Sequence, residues 1–195
     1  CIIVIFINNQ LVRFGGDLSV GAYGIANGIA MVFIMFVLGV NQGMQPIAGY
    51  NFGAKLYGRV NKVLRLTIIY ATAVTTFGFL VGMLVPDLVV GIFTSDAELT
   101  ELSVTGLRIT VMFFPIIGFQ MVTSNFFQSI GMAGKAIFLS LTRQMLILLP
   151  CLLVLPQFFG VAGVWYSMPV SDLLASLIAL VMLVCQFRKF RTSPL

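Results

Sequence analysis

The sequence predicts an all-α membrane protein, a bundle of helices that crosses the bilayer several times. Hydrophobic residues make up 59% of the 195 residues and charged residues only 9%, with a mean hydropathy of +1.08. Such a chain has too few polar side chains to cover a soluble domain of this length. The apolar residues also form long runs, and the basic residues collect in alternate connections between them. Lipid is therefore the predicted solvent.

The apolar runs have the length that membrane helices require. A spanning helix needs about 20 mostly apolar residues, because only a helix or a closed barrel satisfies its backbone hydrogen bonds in lipid. The predicted spans are Leu18–Gly43, Val63–Val85, Val104–Ile130, Ala136–Leu155 and Val161–Phe187. A shorter apolar stretch, residues 1–12, is interpreted as the end of one more helix. Five and a half helices are unusual for a whole protein, so we expect the chain to be a fragment.

Turn and capping residues separate these spans. The predicted connections are Asn9–Ser19, Gln45–Lys62, Pro86–Glu101, Gly131–Lys135 and Pro156–Gly160. Gly15-Gly16 in the first of them is a turn signal. The basic residues that begin with Lys55 share one side of a helical turn, which indicates an interfacial segment. Thr94–Glu98 resembles a helix cap and predicts a short surface helix.

The charges predict an orientation in the membrane. The basic residues lie in or around alternate connections and after the last span, namely Lys55, Arg59, Lys62, Arg65, Lys135, Arg143, Arg188, Lys189 and Arg191. By the positive-inside rule these connections are cytoplasmic. Arg13 and Arg108 depart from the pattern, and the acidic residues outside the spans lie in the other connections. We predict a multi-pass protein of the inner (plasma) membrane with a cytoplasmic C-terminus.

Composition argues against an enzyme and against a nucleic-acid partner. The chain contains no His, and five of its six carboxylates lie outside the spans, so the usual acid-base and metal sites cannot be assembled. Its three Cys lack metal-binding or redox spacing. The net charge of +5 reflects basic residues at helix ends, a pattern typical of contact with anionic lipid heads and not of a nucleic-acid groove. We expect no cofactor and no resident metal.

Asp172 is the carboxylate that lies inside a predicted span. A charged side chain at membrane depth is costly and usually faces protein or a water-filled cavity. Its charged form would need a nearby cation, such as Arg143. We predict that Asp172 is buried with a partner, and the sequence leaves open whether its role is in transport or purely structural.

Amide and hydroxyl side chains form further polar clusters within the spans. Gln120, Ser124 and Gln128 recur every four residues and so share one helix face, with Asn125 alongside. In lipid such a stripe faces other helices or water, so it either joins helices or lines a cavity. Together with two shorter clusters, the candidate cavity residues are Asn8, Asn9, Asn41, Gln45, Gln120, Ser124, Gln128 and Asp172.

The segment Gly39–Ala54 reads GVNQGMQPIAGYNFGA. It resembles the signature at the end of the eighth helix of MATE (multidrug and toxic compound extrusion) transporters. Shorter segments resemble the same family in the same order along the chain, namely Gly15–Asp17, Phe126–Gly131, Leu141–Gln144 and Gly163–Asp172. The resemblance implies the C-terminal six-helix lobe of a twelve-helix protein, beginning within helix seven.

The resemblance also implies a function. MATE transporters export small amphipathic or cationic compounds by antiport against Na+ or H+, as two lobes rock about a central cavity. The implied partners are the missing N-terminal lobe, the lipid bilayer and the substrates. Some family members bind the coupling ion through carboxylates in helices seven and ten, but residues 1–12 and 104–130 contain no Asp or Glu. We therefore expect the coupling-ion site in the missing lobe.

Two other functions remain open at this point. A flippase for lipid-linked saccharides, within the same superfamily, would favour a cavity with several basic residues for phosphate, and only Arg143 and Arg108 are candidates. A noncatalytic membrane subunit would use its polar stripe as an interface with a partner protein.

Overall fold

The computed structural model describes residues 2–192, and every element in that range is a helix. The elements are α1 (Ile2–Gly53), α2 (Tyr57–Leu84), α3 (Pro86–Val90), α4 (Ala97–Val111), α5 (Phe114–Ser129), α6 (Ala133–Leu141), a π-helix (Thr142–Leu148), α7 (Leu149–Phe159) and α8 (Val161–Thr192). The all-α membrane fold is thereby confirmed. Cys1 and the side chains of Arg188, Lys189 and Arg191 lie outside the described part.

The predicted first connection is a kink in α1. Helical structure continues through it, and only Gly16 departs, with φ 70° and ψ −174°. That backbone conformation suits glycine, which has no Cβ to clash. Gly15 is needed for a different reason, since a Cβ there would lie 2.7 Å from Cγ2 of Val161. Ser19 Oγ donates to the Gly15 carbonyl at 2.9 Å and satisfies it across the kink.

The predicted interfacial connection is mostly helical. α1 continues past Pro46 to Gly53 and ends in a tight turn in which Lys55 has φ 58° and Leu56 N donates to Asn51 O at 2.9 Å. The helix α2 then begins at Tyr57, before the predicted span start. Its first turns expose the predicted basic residues, which are Arg59, Lys62 and Arg65.

The third predicted span is broken in two. α4 and α5 meet at an angle of 52° around residues 112 and 113. Pro115 lies in the first turn of α5, where its missing N–H is tolerated but a continuous helix would lose a hydrogen bond. Asp96 Oδ1 accepts from the backbone N–H groups of Glu98 and Leu99 at 2.9 and 3.1 Å. The cap-like sequence thus starts the spanning helix α4, and the short helix α3 precedes it.

Close contacts define the two ends of the bundle. At one end a Cβ on Gly49 would lie 2.9 Å from the Ser129 carbonyl oxygen, and Lys135 donates to Gln186 Oε1. At the other end a Cβ on Gly21 would lie 3.3 Å from Leu99. The exposed basic residues at the start of α2 come shortly after Gly49 in the chain, at the first end. Glu98 and Glu101 lie beside Leu99 at the start of α4, at the second end. Charge is therefore sorted between the two ends of the molecule.

By length and composition four helices could each cross a membrane, and five if the bent pair α4 and α5 counts as one span. Large apolar side chains on their outer faces are exposed, among them Met35, Phe36, Ile69, Tyr70, Phe77, Leu146 and Val181. Such a belt is costly in water and favourable in lipid.

Candidate functional site

A cavity of about 510 Å³ lies beside the first half of α1, among α4, α5, the π-helix and α8. This volume is in the range of small-molecule sites, about 300–1,000 Å³. Most of its wall is apolar, and the aromatic and aliphatic side chains include Tyr23, Ile34, Phe114, Ile117 and Met168. Its polar lining residues are Asn27, Thr110, Arg143, Gln144, Ser171 and Asp172. An apolar wall with a few polar groups suits an amphipathic ligand.

An ion pair forms part of the wall. Arg143 Nε donates to Asp172 Oδ1 at 2.6 Å, with the Asp172 side chain 7% exposed and the Arg143 side chain 31% exposed. A charge-assisted bond of this length balances a carboxylate that would otherwise be costly at membrane depth. The prediction that Asp172 is buried with a partner is confirmed.

The local structure of two helices brings this pair together. On α8 the Asp172 carbonyl accepts from Ser176 Oγ at 2.6 Å, one turn further along the same face. Arg143 belongs to the π-helix, which immediately precedes α7 and Pro150. Pro150 has no N–H to donate to the Leu146 carbonyl and its ring crowds that carbonyl, so a wider turn is favoured there. The π-helix contributes Arg143, Gln144, Met145 and Leu148 to the cavity wall.

Part of the predicted polar stripe on α5 joins helices. Gln45 Nε2 donates to Asn125 Oδ1 at 3.3 Å, which links α1 to α5. Ser124 Oγ lies 3.4 Å from both the Ala136 carbonyl oxygen and Ser140 Oγ, which links α5 to α6. Gln128 is exposed. The described residues that line the cavity do not include Gln45, Ser124 or Gln128.

The remaining predicted site residues are also away from the cavity wall. Asn41 is 1% exposed, and neither its amide nitrogen nor its oxygen has a partner among the described residues. The side-chain oxygens of Gln120 and Asn8 are likewise buried and unpartnered in that part of the chain, whereas Asn9 is exposed. Of the eight predicted residues, only Asp172 lines the cavity.

Sequence reasoning missed several residues of the cavity wall. Four of them are ordinary residues of apolar spans, namely Tyr23, Asn27, Thr110 and Ser171. Whether such a residue faces the cavity depends on the rotation of its helix, which the sequence does not reveal. Gln144 lies in one of the family-like segments but carried no prediction of its own. The proline at position 150 was the available signal for the irregular helix turn beside Arg143.

Comparisons with known proteins agree with this architecture. The MatE family model matches residues 2–153. A curated relative, the multidrug export protein MepA of Staphylococcus aureus (strain MSSA476), is 23% identical over 172 residues, which are 88% of this chain and 38% of MepA. The chain thus spans less than half the length of such relatives.

Solved structures show the same fold. The MATE multidrug transporter DinF-BH is 37% identical with a TM-score of 0.82, over 96% of this chain and 42% of that one. An outward-facing multidrug resistance MATE family transporter of the MOP superfamily is 21% identical with a TM-score of 0.90. That match covers 98% of this chain and 44% of the other.

Proposed function

Since this chain belongs to the MATE family of membrane transporters, we propose that it forms one lobe of a multidrug exporter. The substrates are small amphipathic or cationic compounds, exported by antiport against Na+ or H+ as two lobes rock about a shared cavity. The observation that carries the proposal is the cavity beside α1, whose apolar wall carries a few polar groups near Asp172. Curated relatives are named as multidrug export proteins, which supports the same class of substrate.

The second lobe is part of the proposal. The chain covers 38% of MepA and 44% of the outward-facing MATE family transporter, a share that one lobe of two would cover. Asp172 is the acidic residue on the cavity wall, and Arg143 already neutralises it. This supports a coupling-ion site in the other lobe.

The two alternative functions have less support. A flippase cavity would offer unpaired basic side chains to phosphate, but Arg143 is paired with Asp172, and Arg108 is exposed without lining the cavity. For a noncatalytic subunit the polar stripe would face a partner protein. Instead, Ser124 of that stripe contacts α6 of this chain.

A bulky substitution in the cavity tests the proposal. Ile34 lines the cavity, whereas Leu38, one turn along α1, is exposed and is not among the lining residues. Ile34→Trp fills space that a substrate needs, so we expect it to reduce dye efflux by at least about tenfold, equivalent to roughly 1.4 kcal/mol. Leu38→Trp, at equal membrane abundance, is the matched control and should export normally. Wild-type efflux from the Ile34 variant would contradict the proposal.

A further inference from the structure

We propose that a basic face at the start of α2 binds the headgroup of an anionic phospholipid, while the apolar surface further along α2 contacts its acyl chains. The basic face consists of Lys55, Arg59, Lys62 and Arg65. No described residue of α2 lines the cavity beside α1, so this surface is separate from it. Three observations support the lipid site: the lack of acidic counter-ions, the backbone conformation of Lys55, and the change from basic to apolar along α2.

The four cations of the basic face have no acidic partner in the described part of the chain. All four residues are exposed, and the ion pair found among the described residues joins Arg143 to Asp172 instead. The sequence has no Asp or Glu between Asp17 and Asp87. Arg59 also lies in the first turn of α2, where the helix dipole is unfavourable for a cation. An anion bound here would offset both sources of repulsion.

Lys55 has a backbone conformation that is usually adopted by glycine. Its φ is 58°, and it lies in the turn that follows α1. Its N–H donates to the Phe52 carbonyl at 3.0 Å, and the Leu56 N–H donates to the Asn51 carbonyl at 2.9 Å. These two bonds form a Schellman motif, in which glycine is favoured at the left-handed position because it has no Cβ. Residues strained in this way concentrate at ligand sites, which points to a role for the Lys55 ammonium group at this turn.

The exposed face of α2 continues from the basic residues into apolar ones. Lys62, Leu66 and Ile69 follow one another at helical spacings of four and three, so they lie along one ridge. Leu66, Ile69 and Tyr70 are exposed, whereas the buried residues of α2, such as Leu64, lie on its other face. A surface that is basic at one end and apolar beyond it matches a phospholipid lying beside the helix. A nucleic acid, an acidic peptide or a free phosphate would match only the basic part.

Native mass spectrometry tests the inference by counting lipids bound to the protein in a mild detergent. The protein is used in its stable membrane form, either this chain alone or this chain with its second lobe. Phosphatidylglycerol and phosphatidylcholine with the same acyl chains are titrated separately, and the two lipids differ in the net charge of the headgroup. We expect phosphatidylglycerol to bind at least about tenfold more tightly, since each nearby cation contributes roughly fivefold.

Substitutions in the basic face should reduce this preference in proportion to the charge removed. Lys55→Gly removes one charge and also relaxes the turn, so it should fold normally and bind phosphatidylglycerol about fivefold more weakly. Lys55→Arg keeps the charge and should bind it as the parent protein does. The double variant Arg59→Gln with Lys62→Gln should bind it about 25-fold more weakly. Arg108→Gln, on an exposed residue of α4 outside the basic face, is the matched control and should leave binding unchanged.

Equal binding of the two lipids by the parent protein would overturn the inference. An unchanged preference in both the Lys55→Gly variant and the double variant would also overturn it. Competition with glycerophosphoglycerol, the same headgroup without acyl chains, and with inorganic phosphate separates a lipid from a soluble anion. We expect neither compound to displace phosphatidylglycerol at equal concentration, and displacement by either would show a site for a soluble phosphate instead of a lipid.

Discussion

At the scale of single residues, the contact between Arg143 and Asp172 decides how a carboxylate is held at membrane depth. The two residues are 29 positions apart and meet at 2.6 Å. Each was recognisable in the sequence as a charge close to or within a span. Their pairing was not predictable, because it depends on the rotation of two helices and on the wide turn of the π-helix.

Two substitutions of Asp172 should separate the effect of its polarity on transport from the effect of its charge. Asp172→Asn keeps an oxygen that can accept from Arg143 Nε, so we expect normal folding and a partial loss of drug efflux. Asp172→Leu leaves the guanidinium without a partner, at a cost of about 1–3 kcal/mol, and efflux should be almost abolished. The measurement is efflux at equal membrane abundance. Wild-type efflux from the Leu variant would show that Asp172 has no part in transport.

At the scale of helices, Gly118 allows α2 and α5 to approach each other closely. A Cβ on Gly118 would lie 2.9 Å from the Ala71 carbonyl oxygen and 2.7 Å from Thr75 Oγ1. Backbone atoms cannot move aside as a flexible side chain can, so the two helices would have to separate. The packing of the lobe therefore depends on this position.

We expect Gly118→Ala to destabilise the protein by about 1–3 kcal/mol, the usual cost of overpacking. Gly24→Ala is the matched control, because no atom lies within 4 Å of a Cβ built on Gly24 and alanine favours a helix by up to about 1 kcal/mol. Thermal unfolding in detergent would measure both. An equal or smaller loss of stability for the Gly118 variant would show that this helix contact is not limiting.

Some features of the helices could be predicted from the sequence and others could not. Runs of apolar residues revealed the membrane helices, since length and hydropathy are properties of the chain itself. Their irregularities were not predicted. Pro115 and Pro150 mark the bend between α4 and α5 and the end of the π-helix. A proline alone does not determine whether a helix bends, breaks or widens, because that depends on the neighbouring helices.

At the scale of the whole molecule, charge sorting predicted two distinct ends, and the bundle has them. Which end faces the cytoplasm stays a prediction from the positive-inside rule. Of the eight predicted site residues, seven are placed elsewhere than on the cavity wall. Gln45 and Ser124 illustrate the reason, since a polar side chain in a span can be satisfied by a neighbouring helix as well as by a cavity.

We propose that this chain is one lobe of a drug exporter and that it needs a second lobe to transport. The most direct measurement is dye efflux from cells that lack their own exporters, with residues 1–195 produced either alone or together with the second lobe, at equal membrane abundance. We predict no efflux from the chain alone and ion-gradient-dependent efflux from the two lobes together. Efflux by residues 1–195 with no other lobe present would contradict the claim.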